Sequence, residues 1–253
     1  IKLGQEWAAE HGFDAIVSTD GDADRPLIAD ETGQWLRGDI VGVLCARYLG
    51  INQLVTPVSS NTVVDACGWF DGVYRTRIGS PYVIEQMNQA LAEGTGSVAG
   101  YEANGGFLLA SDITLNGQSL TALPTRDAVL PMLSILASAR QQGCPVSQLV
   151  EALPPRYTAS DRLKNFPTDM SRQKIALLAA SETAINDLFG DLCGNLKSTD
   201  ETDGLRITFE NDEIVHLRPS GNAPELRCYN EAASQERVQI LNQACLERLA
   251  AWR

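Results

Sequence analysis

Three carboxylates alternate with small residues in Asp20-Gly21-Asp22-Ala23-Asp24, and Arg25 closes the run. Anions this close repel one another, so their convergence calls for a neutralising cation. Carboxylate oxygens without His or Cys favour a hard ion, Mg²⁺ before Mn²⁺ or Ca²⁺. Gly21 is expected to let the backbone fold tightly enough for Asp20, Asp22 and Asp24 to meet. Arg25 stands beside such a cation, and together they would hold a phosphate. A solvated acidic turn is a competing reading. An EF-hand loop is another, since Asp20, Asp22, Asp24 and Glu31 fall at its acidic positions. Its turn needs a glycine where Arg25 stands, however, and the flanks read as strands.

Two further stretches offer ligand chemistry. Arg218-Pro219-Ser220-Gly221-Asn222-Ala223-Pro224-Glu225 packs a guanidinium, a hydroxyl, successive backbone N–H groups and an amide between two expected strands. Such a loop can cradle a phosphate, with Arg227 able to point to the same side; the alternative is a Pro/Gly turn between edge strands. Gly100-Tyr101-Glu102-Ala103-Asn104-Gly105-Gly106-Phe107 places a carboxylate and an amide on a glycine turn. Glu102 and Asn104 suit sugar hydroxyls, which both donate and accept; an ordinary Gly-Gly hairpin is the alternative. In Thr76-Arg77-Ile78-Gly79-Ser80-Pro81, Ser80 reads as a helix N-cap, Pro81 as a first helical residue, and Arg77 as solvated.

Elements must position these loops. Residues 2–10 carry a helical pattern that ends at Gly12. Strands are expected at 13–17 and 27–29 around the acidic loop, with a hairpin turn at 30–33. The next units alternate: helix from Arg37 to Leu49, strand 54–58, helix 62–68, strand 73–77, helix 82–92, strands 97–101 and 107–110, and helix 128–140. This alternation implies an α/β layered domain. Gly143-Cys144-Pro145 and Pro154-Pro155 then punctuate a connection. Beyond it follow strand 156–164, helix 170–180, strands 194–198, 205–210, 213–218 and 225–230, and helix 235–252, an α+β order.

Composition narrows the class. Acidic residues number 32 against 20 basic ones, a formal charge of −12, which argues against nucleic-acid or anionic-membrane partners. No apolar run reaches the ~18 residues of a membrane span. Only His11 and His216 are histidines, so Zn sites and Ser–His–Asp centres are poorly supported. Six well-spaced cysteines read as free thiols of a reducing cytosol, hence a cytoplasmic protein.

Taken in order, the three loops resemble those of the α-D-phosphohexomutase family. Asp20-Gly21-Asp22-Ala23-Asp24-Arg25 is similar to its metal loop, Gly100-Tyr101-Glu102-Ala103-Asn104-Gly105-Gly106 to its sugar-selecting loop, and Arg218-Pro219-Ser220-Gly221-Asn222-Ala223-Pro224 to its phosphate loop. The resemblance implies the end of an α/β domain 2 at 1–35, an α/β domain 3 at 36–150 and a TATA-binding-protein-like α+β domain 4 at 151–253. It implies Mg²⁺ on Asp20, Asp22 and Asp24, with Arg25 beside the transferring phosphoryl. Glu102 and Asn104 would bind sugar, and Arg218, Ser220, Gly221, Asn222 and Arg227 the non-reacting phosphate. The family's Ser-His-Asn-Pro phosphoserine segment does not occur here, so a missing N-terminal domain of the same protein is the expected partner. Asn104 replaces the usual Ser of the sugar loop, Ser80 a frequent His, and Asn222 the usual Thr. A non-catalytic phosphosugar-binding chain and a Mg²⁺-dependent phosphatase using Asp20 as nucleophile are the rival readings.

Overall fold

In the computed structural model, residues 2–94 and 96–252 are described, and they divide into two compact units, Ile1–Pro154 and Pro155–Arg253.

The first unit opens with α1 (Lys2–His11), then β1 (Ile16–Thr19) and β2 (Pro26–Ala29), an antiparallel pair whose connection is the acidic loop. There follow α2 (Gly38–Tyr48), β3 (Gln53–Pro57), α3 (Val63–Ala66), β4 (Gly72–Thr76), α4 (Ser80–Glu93), β5 (Val98–Tyr101), β6 (Phe107–Leu109), β7 (Ile113–Leu115), β8 (Gln118–Leu120), β9 (Leu123–Asp127), α5 (Val129–Gln142) and α6 (Val146–Glu151). Five strands form one sheet in the order β4-β3-β5-β6-β9. β3 runs parallel to β4 and β5, whereas β6 is antiparallel to β5 and β9. Every residue of β3 is buried, as expected of a parallel strand covered on both faces. The alternation of side chains sorts the two coverings. Leu54, Ala99 and Tyr101 join Val41, Leu44 and Ile135 of α2 and α5 on one face, and Ile28 of β2 belongs to that same core. Val55, Val98 and Leu108 meet Val83, Met87 and Ala90 of α4 on the other.

Because β9 runs in the direction of β5, the carboxyl ends of β3, β4, β5 and β9 lie at one edge of the sheet. In open α/β sheets that edge is where ligands are bound. The register sets Tyr101 beside Phe107 and Phe107 beside Asp127. The loop after β5 and the last residues of β9 are therefore neighbours.

The second unit contains β10 (Tyr157–Lys164), α7 (Thr168–Ala179), α8 (Glu182–Cys193), β11 (Leu196–Asp200), β12 (Leu205–Phe209), β13 (Ile214–Pro219), β14 (Glu225–Ala232) and α9 (Gln235–Ala250). Its antiparallel sheet has the order β10-β14-β13-β12-β11. Leu205, Ile207, Val215, Leu217, Leu226 and Cys228 share one face and pack with Phe189, Leu241 and Leu249 of the helices. The alternate residues, among them Arg206, His216, Arg218 and Arg227, lie on the opposite face. The two units thus have α/β and α+β architectures.

Several elements differ from expectation. The hairpin of β7 and β8 is absent from the sequence reading, although Asn116-Gly117 is a strong two-residue turn signal; both residues have positive φ, 50° and 76°. β9 is not among the expected strands, because Leu123-Pro124-Thr125-Arg126-Asp127 shows no apolar alternation. Its pairing with β6 comes from the sheet, not from its own side chains. Helix α8 was missed despite an N-cap, the Ser181 side chain accepting from the Ala184 N–H at 3.1 Å, and a buried face of Ile185 and Phe189. The short α6 was missed too. No described helix is long and apolar enough to cross a membrane. The six cysteines are unpaired, and burial pushes the Cys45 thiol up to about 12, far from nucleophilic.

Candidate functional site

In the first unit, one oxygen from each of Asp20, Asp22 and Asp24 comes within 4.8 Å of the others. The hairpin explains the convergence. The Asp20 N–H donates to the Arg25 carbonyl at 3.2 Å, and the Arg25 N–H donates back to Asp20 Oδ1 at 3.2 Å. The turn inside it depends on Ala23, at φ 59°, and not on Gly21, which keeps negative φ. An alanine in the left-handed region costs about 1–2 kcal/mol, which the surrounding hydrogen bonds must offset. The Arg25 guanidinium lies across all three carboxylates: it pairs with Asp20, reaches Asp24 at 3.2 Å and approaches Asp22 at 3.7 Å. Asp20 Oδ2 is buried and, although Arg25 lies against it, receives no hydrogen bond of good geometry. Three carboxylates without nitrogen or sulfur donors, one of them holding a buried oxygen with no hydrogen bond, fit a hard divalent cation.

The hydroxyl-binding candidate lies at the end of β5. Its turn closes with the Glu102 N–H donating to the Gly106 carbonyl at 2.9 Å and the Gly105 N–H to the Glu102 carbonyl at 2.9 Å. Asn104, which is exposed, accepts at Oδ1 from the Gly106 N–H at 3.0 Å, so its NH₂ is not used in that bond. Glu102 is buried. The first residue of α2 backs this turn closely: a Cβ at Gly38 would lie 2.2 Å from the Gly105 nitrogen, so only glycine fits there.

One side chain connects these two loops, and the sequence reading missed it. Arg126, near the end of β9, donates from Nε to Glu102 Oε2 at 2.8 Å and from Nη1 to Asp24 Oδ2 at 2.9 Å. Its Nη2 reaches Ser80 Oγ at 3.4 Å. The Arg126 hydrogen bond holds the Asp24 carboxyl below the ordinary carboxylate range. The sequence carried no signal for it, because its place at the carboxyl end of a strand appears only once β9 pairs with β6. Ser80 corrects an expectation as well. It is the first helical residue rather than the N-cap; Gly79 occupies the cap, and the serine hydroxyl faces Arg126 instead. Arg77 is exposed, with its guanidinium 5.0 Å from the Tyr82 ring centre.

In the second unit, the loop from Arg218 to Pro224 joins β13 to β14. The Ser220 N–H donates to the Glu225 carbonyl at 2.9 Å, and the Phe166 N–H donates to the Pro224 carbonyl at 2.8 Å, anchoring the loop at both sides. Ser220 is buried, while Gly221 and Asn222 are exposed. Arg218 lies directly opposite Arg227, and Arg227 directly opposite Arg162 of β10, so three guanidinium stems form a row across one face. Glu225 lies 3.2 Å from Arg162 and 3.8 Å from Arg227, and Arg227 Nε is buried without a hydrogen bond. Like charges directly opposite are unfavourable, so the row attracts anions. Arg162 was not anticipated, since only strand pairing brings it there.

Asp203 orients Arg218, accepting from its Nε at 2.8 Å. His216, 1% exposed, in turn holds the Asp203 carbonyl through Nε2 at 2.7 Å, which places its proton on that nitrogen. Burial holds the His216 pKa below the ordinary histidine value of 6.5, and its Nδ1 has no partner. A depressed histidine pKa means that the unfolded chain binds the proton first. The corresponding stability is therefore present above pH 6.5 and is lost as pH falls toward the folded value. Urea unfolding is expected to show a steeper loss of stability between pH 7 and 5 in wild type than in His216→Gln, by ~1 kcal/mol. Equal slopes refute the assignment.

Comparison with known proteins adds relationship to this geometry. Residues 37–157 match the family model of the phosphoglucomutase/phosphomannomutase alpha/beta/alpha domain III, and residues 163–247 that of the phosphoglucomutase/phosphomannomutase C-terminal domain. A phosphomannomutase of Sinorhizobium fredii is 48% identical over 240 residues, 95% of this chain and 50% of its own length. A phosphoglucomutase/phosphomannomutase family protein of Burkholderia thailandensis superposes over 99% of this chain and 50% of its own, with TM-score 0.70 at 17% identity. The N-acetylphosphoglucosamine mutase of Aspergillus fumigatus in complex with GlcNAc-6P and magnesium covers 94% of this chain and 49% of its own, with TM-score 0.63 at 16% identity. The last two likenesses concern fold. The chain spans about half the length of the curated relatives it matches.

Proposed function

The chain belongs to the phosphoglucomutase/phosphomannomutase family, and from that premise we propose that it supplies the cation, sugar and phosphate loops of a phosphohexomutase. In this reading a phosphoryl group passes from a phosphoserine to a hexose phosphate. The bisphosphate so formed turns over and returns its other phosphoryl to the serine. The phosphoserine is supplied from outside these residues, which contain no Ser-His-Asn-Pro segment. Asp20, Asp22 and Asp24 hold Mg²⁺, which when bound neutralises charge on the transferring phosphoryl. Arg25, already seated against the three carboxylates, turns its remaining donors toward that phosphoryl. Glu102 and the amide of Asn104 take sugar hydroxyls. Arg218, Ser220, Gly221, Asn222 and Arg227 clamp the phosphate that is not reacting, which fixes the substrate and raises its effective concentration.

The observation that carries this reading is the connection of the acidic cluster to Glu102 through Arg126 within a single unit. A group that neutralises phosphate and a group that reads hydroxyls then serve one phosphosugar. The test is ³¹P NMR of the full-length protein with mannose 1-phosphate or glucose 1-phosphate, Mg²⁺ and a trace of hexose bisphosphate. Interconversion of the 1- and 6-phosphates is expected. Release of inorganic phosphate without isomerisation, abolished by Asp20→Asn, overturns the proposal in favour of a phosphatase.

A further inference from the structure

Arg126 has a division of labour that a simple structural arginine lacks. Its planar guanidinium serves three elements at once: Nε binds the loop after β5, Nη1 the loop between β1 and β2, and Nη2 the first residue of α4. Both carboxylates give it one oxygen. Asp24 retains Oδ1, shared with Arg25 Nε at 3.2 Å, and Glu102 retains Oε1 for a ligand. The stem is confined as well, because a Cβ at Gly106 would stand 2.9 Å from Arg126 Cδ. The same turn that carries Glu102 therefore leaves room for the arginine that orients it. Without this cation, Glu102 would face its place as an anion without that ion pair, and Asp24 would keep only Arg25 as its partner.

We propose that Arg126 is a positioning residue that couples the cation loop to the sugar loop, so that binding at Asp24 and binding at Glu102 depend on each other. The inference rests on the mutase reading and adds to it a shared guanidinium. The physical basis is competition. A cation at Asp24 draws that carboxylate away from Nη1, and the guanidinium then leans on Glu102. A sugar hydroxyl that engages Glu102 alters the same balance from the other side. Coupling of this kind is reciprocal. The direct effect of Arg126 on each ligand, by contrast, differs in sign. Arg126 opposes a cation by Coulomb repulsion, yet it supports the sugar by fixing the carboxylate that reads it.

The experiment uses the full-length protein and two probes, Mn²⁺ alone followed by electron paramagnetic resonance, and mannose 1-phosphate followed by calorimetry. Arg126→Met is expected to tighten Mn²⁺ binding ~3–10-fold and to weaken sugar-phosphate binding ~10-fold. Arg126→Lys keeps the charge but lacks the fork, so it restores the Mn²⁺ affinity more fully than the sugar affinity. A purely structural role moves both affinities downward, together with the melting temperature. The cycle with Glu102→Gln isolates the coupling. That substitution leaves the Arg126 charge undivided on Asp24 and is expected to weaken Mn²⁺ binding ~3–10-fold in wild type, but less than ~2-fold in Arg126→Met. Equal factors in the two backgrounds overturn the proposal, as does absence of Mn²⁺ binding in the wild type. If Arg126→Met fails to fold, the same cycle run in Arg126→Gln, which is also neutral but keeps hydrogen-bond donors, decides the matter by the same criterion. A coupled cycle in a protein that interconverts no hexose phosphate supports the role of Arg126 while sinking the mutase reading.

Discussion

Asp20→Asn is expected to raise the Mg²⁺ concentration for half-maximal activity of the full-length protein by at least ~100-fold. Loss of a residue that merely orients a metal ligand costs roughly 10–100-fold in affinity or activity, and loss of a ligand itself costs no less. Asp20 is the informative choice among the three carboxylates. Its Oδ1 accepts from the Arg25 N–H, a bond that asparagine retains, so the hairpin is preserved. Its Oδ2, buried against the Arg25 guanidinium without a hydrogen bond of good geometry, is the oxygen that asparagine replaces with a neutral amide, which also removes the ion pair with Arg25. Asp22, with a side chain 76% exposed, is expected to respond less steeply. Mg²⁺ titration of activity, with circular dichroism to confirm folding, checks both. A midpoint within 3-fold of wild type in Asp20→Asn refutes the ligand role.

Arg218→Ala is expected to weaken hexose-phosphate binding by about 2–3 kcal/mol, a factor of ~30–150, through loss of charge-assisted hydrogen bonds. The side chain is largely covered and is held through Nε by Asp203, so its terminal nitrogens are pre-aimed. Arg218→Lys recovers part of the loss because a point charge remains where a fork stood. Asp203→Asn acts in the same direction and more weakly, since it leaves the guanidinium in place but frees its orientation. Calorimetric titration with mannose 1-phosphate distinguishes the three variants. Affinity unchanged in Arg218→Ala counts against the phosphate clamp.

The acidic cluster was legible because everything it needs lies within six consecutive residues; a hairpin turn brings such neighbours together regardless of what surrounds them. The backbone role given to Gly21 was wrong for a related reason. Composition points to glycine as the residue that turns, whereas the hydrogen bonds across the loop impose the left-handed conformation on Ala23. The β/α alternation of the first unit was visible in apolar runs such as Leu54-Val55, which sheet burial requires. β9 was invisible because it is largely exposed and shows no alternation of apolar and polar residues, and its place as a strand depends on a partner edge.

The sequence alone determined the donor chemistry: which loops carry carboxylates, amides and guanidinium groups. Only the tertiary structure decided which groups answer one another. Arg126 lies 24 residues from Glu102 and 102 residues from Asp24, and Arg162 reaches Arg227 solely through the register of β10 on β14. A side chain's chemistry is a local property of its residue. The partner it faces is set by strand order and register, which arise from the burial of apolar surface elsewhere in the unit.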